Sequence, residues 1–381
     1  MKAPRVIIRD RPRNEIARAF STGHEKGLEF TMNQPGARVE STAAGAGPDT
    51  GMAMDTTVDV AVVGAGPAGL YAAYCAGFRG LSSAVVDVLP EPGGQVAALY
   101  PEKRIHDVAG HVGVRGRELI DNLLAQVAPF DPRFLLGRTA ASLAPDGRAG
   151  WTLGLEGGGR VRAGAVVIAA GLGRSVPRTL PCLRPYEGRG VAYHVPRLDE
   201  HRGRDVVIVG GGDSAVDWAL ALAPIARSVT VVHRRSSFRA HEHGVKQMYA
   251  AGIRVLTDAH VTACHGAPRL EEVRVLAGEE ESTLPAQALV AALGFITGLG
   301  PIAEWGLQVE SRRIAVDRAM RTNLPQVYAA GDICTYEGRV PLISVGFGEA
   351  ATAVNHAVVG LRPGSRLAPE HSTDREAALL S

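Results

Sequence analysis

A pattern of three glycines between two apolar runs carries the first chemical signal in this sequence. The run 58–63 is followed by glycines with the spacing G-x-G-x-x-G, which are Gly64, Gly66 and Gly69. The first glycine permits a tight turn, the second lets backbone N–H groups approach a pyrophosphate, and the third lets a helix pack closely on the strand. A second apolar run ends at Asp87, whose carboxylate can accept hydrogen bonds from a ribose. The pattern therefore predicts a dinucleotide-binding site.

A second pattern of the same kind lies in the middle of the chain. The apolar run 205–209 precedes a G-x-G-x-x-A turn, in which alanine takes the place of the third glycine. The residues of this turn are Gly210, Gly212, Asp213, Ser214 and Ala215. Because the turn again lies between a predicted strand and a predicted helix, it indicates a second dinucleotide site.

The two units differ in charge at the end of their second strand. Where the first unit has Asp87, the second has His233, followed by Arg234 and Arg235, with Arg239 close behind. A carboxylate bonds a free 2′-hydroxyl and repels a 2′-phosphate, whereas guanidinium groups form charge-assisted bonds to phosphate. We therefore expect NADPH in the second unit and FAD or NAD in the first. A solvated basic strand end, without a ligand, is the alternative interpretation.

The segment VYAAGDICTY decides between the two cofactors of the first unit. A predicted strand ends here at Gly331 and Asp332, before a helix and after both glycine turns. An acid in this place suits a hydrogen bond to the ribityl chain of a flavin, so we expect FAD. Two further strand ends, 165–171 and 288–295, suit crossovers between an FAD domain and an NADPH domain.

The composition of the whole chain excludes several other classes of protein. The chain has 381 residues, 46% of them hydrophobic, and a formal net charge of +2. That charge is too small for a nucleic-acid-binding protein, which needs a clustered basic face. No membrane-spanning helix is predicted, because the most apolar window is interrupted by Gly64, Gly66, Pro67 and Gly69.

The cysteines give information about the redox environment. The four of them, Cys75, Cys182, Cys264 and Cys334, are widely separated in the sequence and form no C-x-x-C pair. This spacing argues against a disulfide framework and against a zinc site. We therefore expect no bound metal and a location in a reducing cytoplasm.

These patterns predict an α/β protein with two Rossmann-like dinucleotide-binding domains, with the NADPH domain inserted into a discontinuous FAD domain. The predicted FAD domain covers 55–171 and 290–364, and the predicted NADPH domain covers 172–289. Residues 1–54 lack sustained periodicity and are rich in Arg, Pro, Gly, Ser and Thr, so we expect a mostly disordered extension. Translation could also start at Met52 or Met54.

The arrangement resembles the flavoproteins with two dinucleotide-binding domains, among them the low-molecular-weight thioredoxin reductases. Those enzymes carry a redox C-x-x-C pair shortly before the second glycine turn. In this chain the likely pair positions hold Tyr193 and His194, and Cys182 is the only cysteine of the segment. We therefore do not expect a disulfide reductase, because there are no two thiols to cycle at that place.

The sequence is more similar to the ferredoxin–NADP⁺ reductases of the thioredoxin-reductase-like type. The segments that carry this similarity are GGQVAALYPEKRIHDVAG, GGGDSAVDWAL, HRRSSFRAHE, AAGDICTYEGRVPLISVGFGEAATAVNHA and EHST. The resemblance extends over residues 58–373 and implies FAD and NADPH as cofactors.

The resemblance also implies roles for individual side chains. Tyr100 stacks on one face of the isoalloxazine ring, and His371 covers the other face as part of a C-terminal lid over residues 365–381. The further contacts to FAD are made at Asp87, Gln95, Ala140, Ser175, Asp332 and Thr373. Ser175 stands where the family often has an aromatic residue. In that family the lid comes from the opposite protomer, which implies a homodimer.

The implied reaction is electron transfer between NADPH and ferredoxin or flavodoxin. NADPH passes a hydride to flavin N5, and the electrons then leave singly to the carrier. An acidic carrier would dock at Arg104, Arg115 and Arg117. The helix predicted from Gly346 either aims its positive end at the flavin or is capped by Glu349. Two other functions stay open, which are an NADPH oxidase or diaphorase with another acceptor and a non-catalytic FAD/NADP-binding sensor.

Overall fold

The computed structural model describes residues 55–368, apart from the side chains of Arg174 and Ser175. The predicted N-terminal extension and residues 369–381 of the predicted lid lie outside the described residues. In the described part of the chain, no helix combines the length and the apolar character needed to cross a bilayer.

The first part of the chain alternates between valine-rich runs, which favour strands, and alanine-rich runs, which favour helices. Its elements, numbered in chain order, are β1 (Asp55–Val63), α1 (Pro67–Phe78), β2 (Ser83–Asp87), α2 (Gly94–Leu99), β3 (Arg104–Ile105), β4 (Val114–Arg115), α3 (Gly116–Val127), β5 (Arg133–Leu136), β6 (Ala140–Pro145), β7 (Trp151–Leu155), β8 (Arg160–Ile168) and β9 (Arg174–Pro177). Helix α1 begins with proline, whose missing N–H costs no hydrogen bond at that position.

The middle of the chain repeats the alternation and then adds antiparallel strands. Its elements are β10 (Val191–Ala192), β11 (Asp205–Val209), α4 (Asp213–Leu222), β12 (Ser228–Val232), α5 (Glu242–Ala250), β13 (Arg254–Leu256), β14 (Ala259–His265), β15 (Glu272–Ala277), β16 (Glu280–Pro285), β17 (Ala288–Ala291) and β18 (Phe295–Gly298). The last part contributes β19 (Val309–Glu310), β20 (Arg313–Ala315), β21 (Val327–Ala329), β22 (Cys334–Thr335) and α6 (Ile343–Leu361).

The strands form two separate parallel sheets with smaller antiparallel additions. In the first sheet, β5, β2, β1 and β8 are parallel neighbours, β21 also pairs with β8, and β7 and β6 continue the sheet in antiparallel fashion. The second sheet has the order β10–β17–β11–β12–β13 and is parallel throughout. Strand β21 follows the whole second sheet in sequence but pairs with the first sheet. The second unit is therefore inserted into the first, and the predicted fold class is confirmed.

Each parallel sheet is buried on both faces. Val60 and Val62 of β1 face one apolar cluster, while the neighbouring Ala61 and Val63 face another. The same alternation along β11 divides its residues between two further clusters. Because successive side chains of a strand point to opposite faces, such a sheet must be covered on both sides. Helices cover one face of each sheet, and antiparallel strands and 3-10 turns cover the other face. The cores therefore hold the carboxyl ends of β1 and β11 in fixed positions, and both glycine turns begin at these ends.

Two crossovers join the parallel units. Strand β9 leads out of the first unit, strand β18 leads back, and the two pair as an antiparallel ribbon from Phe295↔Pro177 to Gly298↔Arg174. The last helix differs in one detail from the sequence prediction, because α6 begins at Ile343 and not at Gly346. No side chain caps its N-terminus, and Glu349 lies in its second turn. Glu349 is therefore not the cap of this helix.

Candidate functional site

The first glycine turn is shaped by very close backbone approach. Gly64 has φ +109°, and a Cβ atom added to it would lie 2.4 Å from the carbonyl oxygen of Ala169. A Cβ on Gly69 would lie 1.8 Å from the carbonyl oxygen of Gly64. Both distances are far below van der Waals contact, so no residue with a side chain fits without moving the backbone. The two glycines thus let α1 start directly over the end of β1.

The N-terminus of α1 is open for an anion. Gly66 is the N-cap residue, and no side chain accepts a hydrogen bond from the first turn. A Cβ on Gly66 would meet no atom nearer than the Cα of Gly94, at 4.0 Å. The first N–H groups of a helix have no partner within the helix and carry partial positive charge. The turn therefore combines free donors with room for a phosphate group.

Asp87 lies at the last position of β2, beside this turn, and is 8% exposed. Its Oδ2 accepts a hydrogen bond from the N–H of Ala65 at 2.5 Å, and its Oδ1 accepts one from the N–H of Leu89 at 2.8 Å. Burial raises the pKa of Asp87, and the two backbone hydrogen bonds oppose that rise. Since an ionised carboxylate has about four acceptor positions, Asp87 can still accept from a ribose hydroxyl.

Three predicted flavin contacts lie on short elements near the carboxyl ends of the first sheet. Gln95 is in α2, Tyr100 ends that helix, and Asp332 is in the 3-10 turn Gly331–Ile333. Burial raises the pKa of Tyr100, and the negative charge of Asp332 adds to the rise. The carboxylate of Asp332 is 46% exposed. It can therefore accept a hydrogen bond from a ligand.

The remaining predicted flavin positions are more scattered. Ala140 is buried at the start of β6 and pairs with Leu155. Ser175 lies in β9, and its backbone pairs with Thr297 of the crossover ribbon. His371 and Thr373 lie outside the described residues. The structure thus brings Gln95, Tyr100 and Asp332 to one end of the sheet and places Ser175 on the connection between the units.

The second glycine turn has the same construction as the first. Gly210 has φ +156°, and a Cβ on it would lie 2.3 Å from the carbonyl oxygen of Ala292. Gly212 is the N-cap of α4, again without a side-chain cap, and a Cβ on it would have open space around it. The Oδ1 atom of Asp213 accepts a hydrogen bond from the N–H of His241 at 2.8 Å, while Ser214 is exposed.

The basic strand end separates into a buried histidine and three exposed arginines. The ring of His233 is 7% exposed by residue area, stacks on Phe238 with a centroid distance of 5.0 Å, and lies 3.0 Å from the carbonyl oxygen of Ser237. It fills the space beside Gly211, where a Cβ would lie 2.1 Å from it. His233 therefore packs against the glycine turn at Gly211.

The three arginines keep their charge available at the surface. Arg234, Arg235 and Arg239 are exposed, and none of them forms an ion pair with another described residue. The backbone N–H of Arg239 donates to the carbonyl oxygen of Gly211 at 2.8 Å, which ties the segment to the glycine turn. The guanidinium groups are thus free to bind an anion next to the N-terminus of α4.

Arg339 and Glu349 form a buried ion pair that the sequence did not reveal. Their side chains are 3% and 2% exposed, and Nε of Arg339 donates to Oε1 of Glu349 at 2.8 Å. Glu349 also accepts the N–H of Gly331 at 2.7 Å and the hydroxyl of Tyr336 at 3.1 Å. Nη2 of Arg339 lies 3.4 Å from Oδ1 of Asp332. The pair therefore fixes the turn that carries Asp332. It also places the positive charge of Arg339 next to the carboxylate of Asp332.

A second ion pair missed by the sequence reasoning connects the two parallel units. Nζ of Lys103 lies 2.5 Å from Oδ2 of Asp217, a residue of helix α4. The same ammonium group lies 5.9 Å from the ring centroid of Tyr100. Lysine on a loop and aspartate on a helix are ordinary surface residues in a sequence, and the structure shows that their contact links the predicted flavin side to the helix of the second glycine turn.

No metal site accompanies these features in the described part of the chain. There, no three or more His, Cys, Asp or Glu side chains converge as ligands for an ion.

Comparison with known proteins places this geometry in a family. A family model described as pyridine nucleotide-disulphide oxidoreductase matches residues 58–357. A ferredoxin–NADP reductase of Salinispora tropica is 57% identical over 320 residues, which are 83% of this chain and 98% of that protein. A ferredoxin–NADP reductase of Thermus thermophilus is 48% identical over 334 residues, which are 86% of this chain and 99% of that protein. The chain belongs to the family of ferredoxin–NADP reductases.

Solved structures agree with the fold of this family. The thioredoxin reductases of T. acidophilum and Lactococcus lactis each have a TM-score of 0.68 and 24% identity, and each match covers 80% of this chain. The matches cover 97% and 99% of those two chains. The predicted membership of a ferredoxin–NADP reductase family with a thioredoxin-reductase-like fold is therefore confirmed, and so is the predicted enzyme class, an oxidoreductase.

The buried ion pair leads to a prediction about stability. We expect Arg339→Met to lower the free energy of unfolding by about 3–5 kcal/mol, because the variant leaves the charge of Glu349 buried without a partner. The double variant Arg339→Met, Glu349→Gln should regain most of this loss. Urea unfolding followed by circular dichroism measures both changes.

The matched control is Arg202→Met, which removes an exposed arginine from its pair with Asp199. This change should cost less than about 1 kcal/mol. Equal losses in the Arg339 and Arg202 variants would contradict a special role for the buried pair.

Proposed function

We propose that this chain is an FAD-dependent oxidoreductase that passes electrons between NADPH and ferredoxin or flavodoxin. The observation that carries the proposal is the charge contrast at two equivalent strand ends. A buried carboxylate, Asp87, stands beside the first glycine turn, and three exposed guanidinium groups stand beside the second. The names of the ferredoxin–NADP reductases to which the chain is similar support both the nucleotide and the carrier.

The first unit has the features that FAD needs. The open N-terminus of α1 would hold the pyrophosphate, and Gly66 leaves the space for it. Asp87 would accept from the ribose. The exposed carboxylate of Asp332 would accept from the ribityl hydroxyls, with Arg339 keeping it in place. Gln95 would contact the flavin, with further contacts at Ala140, Ser175 and Thr373.

FAD, when bound, supplies the conversion between two-electron and one-electron transfer. The protein contributes position and electrostatics. Tyr100, at the end of α2, would stack on one ring face, and partial burial raises the pKa of its phenol. His371 would cover the other face from a lid over residues 365–381, contributed by the second protomer of a homodimer. Such covers would exclude water and limit the access of oxygen.

The second unit would bind NADPH. The N-terminus of α4, with Gly210, Gly212, Asp213 and Ser214 in its turn, would hold the pyrophosphate. Arg234, Arg235 and Arg239 would bind the 2′-phosphate. His233 would hold the second glycine turn in place by packing against Gly211. We keep the proposed limits of this domain at 172–289, between the FAD-binding parts 55–171 and 290–364.

An acidic electron carrier would dock near the flavin edge on basic side chains. Arg115 and Arg117 lie 3.6 Å and 3.3 Å from the single carboxylate of Glu102, so this group carries more positive than negative charge. Arg104, on the adjacent strand β3, adds another cation. Complementary charge of this kind increases the rate of association. We place the reaction in the cytoplasm, where such carriers are reduced and oxidised.

Turnover tests the proposed function directly. The purified protein should reduce cytochrome c with NADPH only when ferredoxin or flavodoxin is added. Fast oxygen consumption without a carrier would indicate an NADPH oxidase. Bound FAD without turnover would indicate a sensor, and reduction of a disulfide substrate would contradict the sequence argument on C-x-x-C.

The exposed arginines give a prediction about nucleotide preference. We expect the variant Arg234→Ala, Arg235→Ala to raise KM for NADPH about 100-fold or more, because two charge-assisted bonds are lost and each is worth about 1.5–3 kcal/mol. KM for NADH should change little. Steady-state kinetics with both nucleotides measures this, and Arg254→Ala, an exposed arginine on β13 of the same sheet, is the matched control. An unchanged preference for NADPH would refute the role of the two arginines.

The first glycine turn gives a prediction about the flavin. Gly66→Ala should fold, because the added methyl group meets no protein atom nearer than 4.0 Å, but it should lower FAD affinity at least tenfold by filling the space of the pyrophosphate. The ratio of flavin to protein absorbance measures the bound fraction. Gly69→Ala is the comparison, since its methyl group would collide with Gly64 and impair folding itself. Full flavin content in Gly66→Ala would contradict the assignment.

A further inference from the structure

Two cysteines that are distant in the sequence meet in the second unit. Cys182 lies in the 3-10 turn Pro181–Tyr186, and Cys264 lies in strand β14. The two thiols are near enough that each influences the pKa of the other. Cys182 Sγ also lies 3.9 Å from the carbonyl oxygen of Val261, a residue of the same strand as Cys264. Both cysteines pack against one apolar cluster of this unit.

A β-bulge brings Cys264 to the side of Cys182. Side chains alternate between the faces of a regular strand, so residues three positions apart point to opposite faces. The pairing of β14 with β15 shifts between Val261 and Ala263, which marks an extra residue in β14. The bulge turns Cys264 toward the cluster that also buries Val261. Bulges often re-aim a side chain in this way.

The pair differs from the other two cysteines of the chain. Cys75 and Cys334 are buried, at 8% and 0% exposure, and each is the single thiol of its surroundings in the described structure. Cys182 and Cys264 are half-buried. A small oxidant can therefore reach the pair, and a second thiol is present to react with the first.

We propose that Cys182 and Cys264 form a disulfide when the protein meets a peroxide, and that this bond fastens the 3-10 turn to β14. Hydrogen peroxide oxidises one thiol to a sulfenic acid and releases a water molecule. The second thiol attacks that sulfur, the S–S bond forms, and a second water molecule leaves with the sulfenic oxygen. The two electrons lost by the two thiols reduce the peroxide to two water molecules.

The bond would close a long loop around the predicted NADPH site. The segment between the two cysteines contains β11, α4, β12 and α5, and with them Gly210 and the three exposed arginines. A covalent link across such a loop stabilises the folded state, chiefly by restricting the unfolded chain. The pair is therefore a modification site that would preserve this unit during oxidative stress.

The chemistry of the two thiols distinguishes the pair from a catalytic dithiol. Burial raises the pKa of Cys264 to about 12, and the neighbouring Cys182 adds to the rise. Burial also raises the pKa of Cys182. Since the thiolate is the reactive form, both groups react slowly at neutral pH. The disulfide would form under sustained oxidation and would not cycle at the rate of turnover, in agreement with the expected lack of disulfide reductase activity.

Mass spectrometry of the full-length holoprotein tests the proposal. After treatment with hydrogen peroxide, the intact mass should fall by about 2 Da, and two thiols should lose their reaction with N-ethylmaleimide. A proteolytic digest should contain one cross-linked peptide that joins Cys182 to Cys264. The melting temperature should rise by about 5–10 °C and return to its starting value with dithiothreitol.

Variants separate this pair from other oxidation events. Cys182→Ser and Cys264→Ser should each abolish the cross-linked peptide and the rise in melting temperature, whereas Cys75→Ala should keep both. A gain of about 32 Da on Cys182, with Cys264 still open to alkylation, would show sulfinic acid formation and overturn the proposal. A cross-link through Cys75 or Cys334 would overturn it as well. None of these outcomes depends on the electron acceptor, so the result is independent of the proposed function.

Discussion

Close backbone approach at the two glycine turns is the constraint on which both nucleotide sites depend. In the first unit, a Cβ on Gly69 would lie 1.8 Å from the oxygen of Gly64, and in the second a Cβ on Gly210 would lie 2.3 Å from the oxygen of Ala292. Only glycine allows these contacts. They bring the open N-termini of α1 and α4 over the ends of two parallel sheets, where partial positive charge and free N–H groups favour a phosphate.

Both units share this kind of glycine turn, and the charge at the end of the neighbouring strand distinguishes one unit from the other. Asp87 is buried and held by two backbone N–H groups, so its position is fixed before any ligand binds. Arg234 and Arg235 are exposed and form no ion pair with another described residue. A fixed anion favours ribose hydroxyls, and exposed cations favour a phosphate group. The Lys103–Asp217 ion pair joins these two environments across the unit boundary.

Two contacts between residues that are distant in sequence affect the sites, and no local sequence pattern predicts them. The buried pair of Arg339 and Glu349 holds the turn of Asp332, and the hydrogen bonds that the pair makes with Gly331, Tyr336 and Asp332 help to offset the desolvation energy of the two charges. The contact of Cys182 with Cys264 likewise depends on one extra residue in strand β14. In both cases the chemistry arises from the path of the backbone between residues that are distant in sequence.

The sequence by itself determined the two glycine turns, the strands and helices around them, the charge contrast and the family, because each of these depends on residue types at short spacing. The boundaries of α6 and the role of Glu349 needed the structure, since no local signal places a buried carboxylate beside the turn of Asp332. Only the tertiary structure decided the following pairs: Arg339 with Glu349, Lys103 with Asp217, and Cys182 with Cys264. The physical reason is that sequence spacing reports on neighbours along one element, whereas these contacts depend on turns, a bulge and packing between elements.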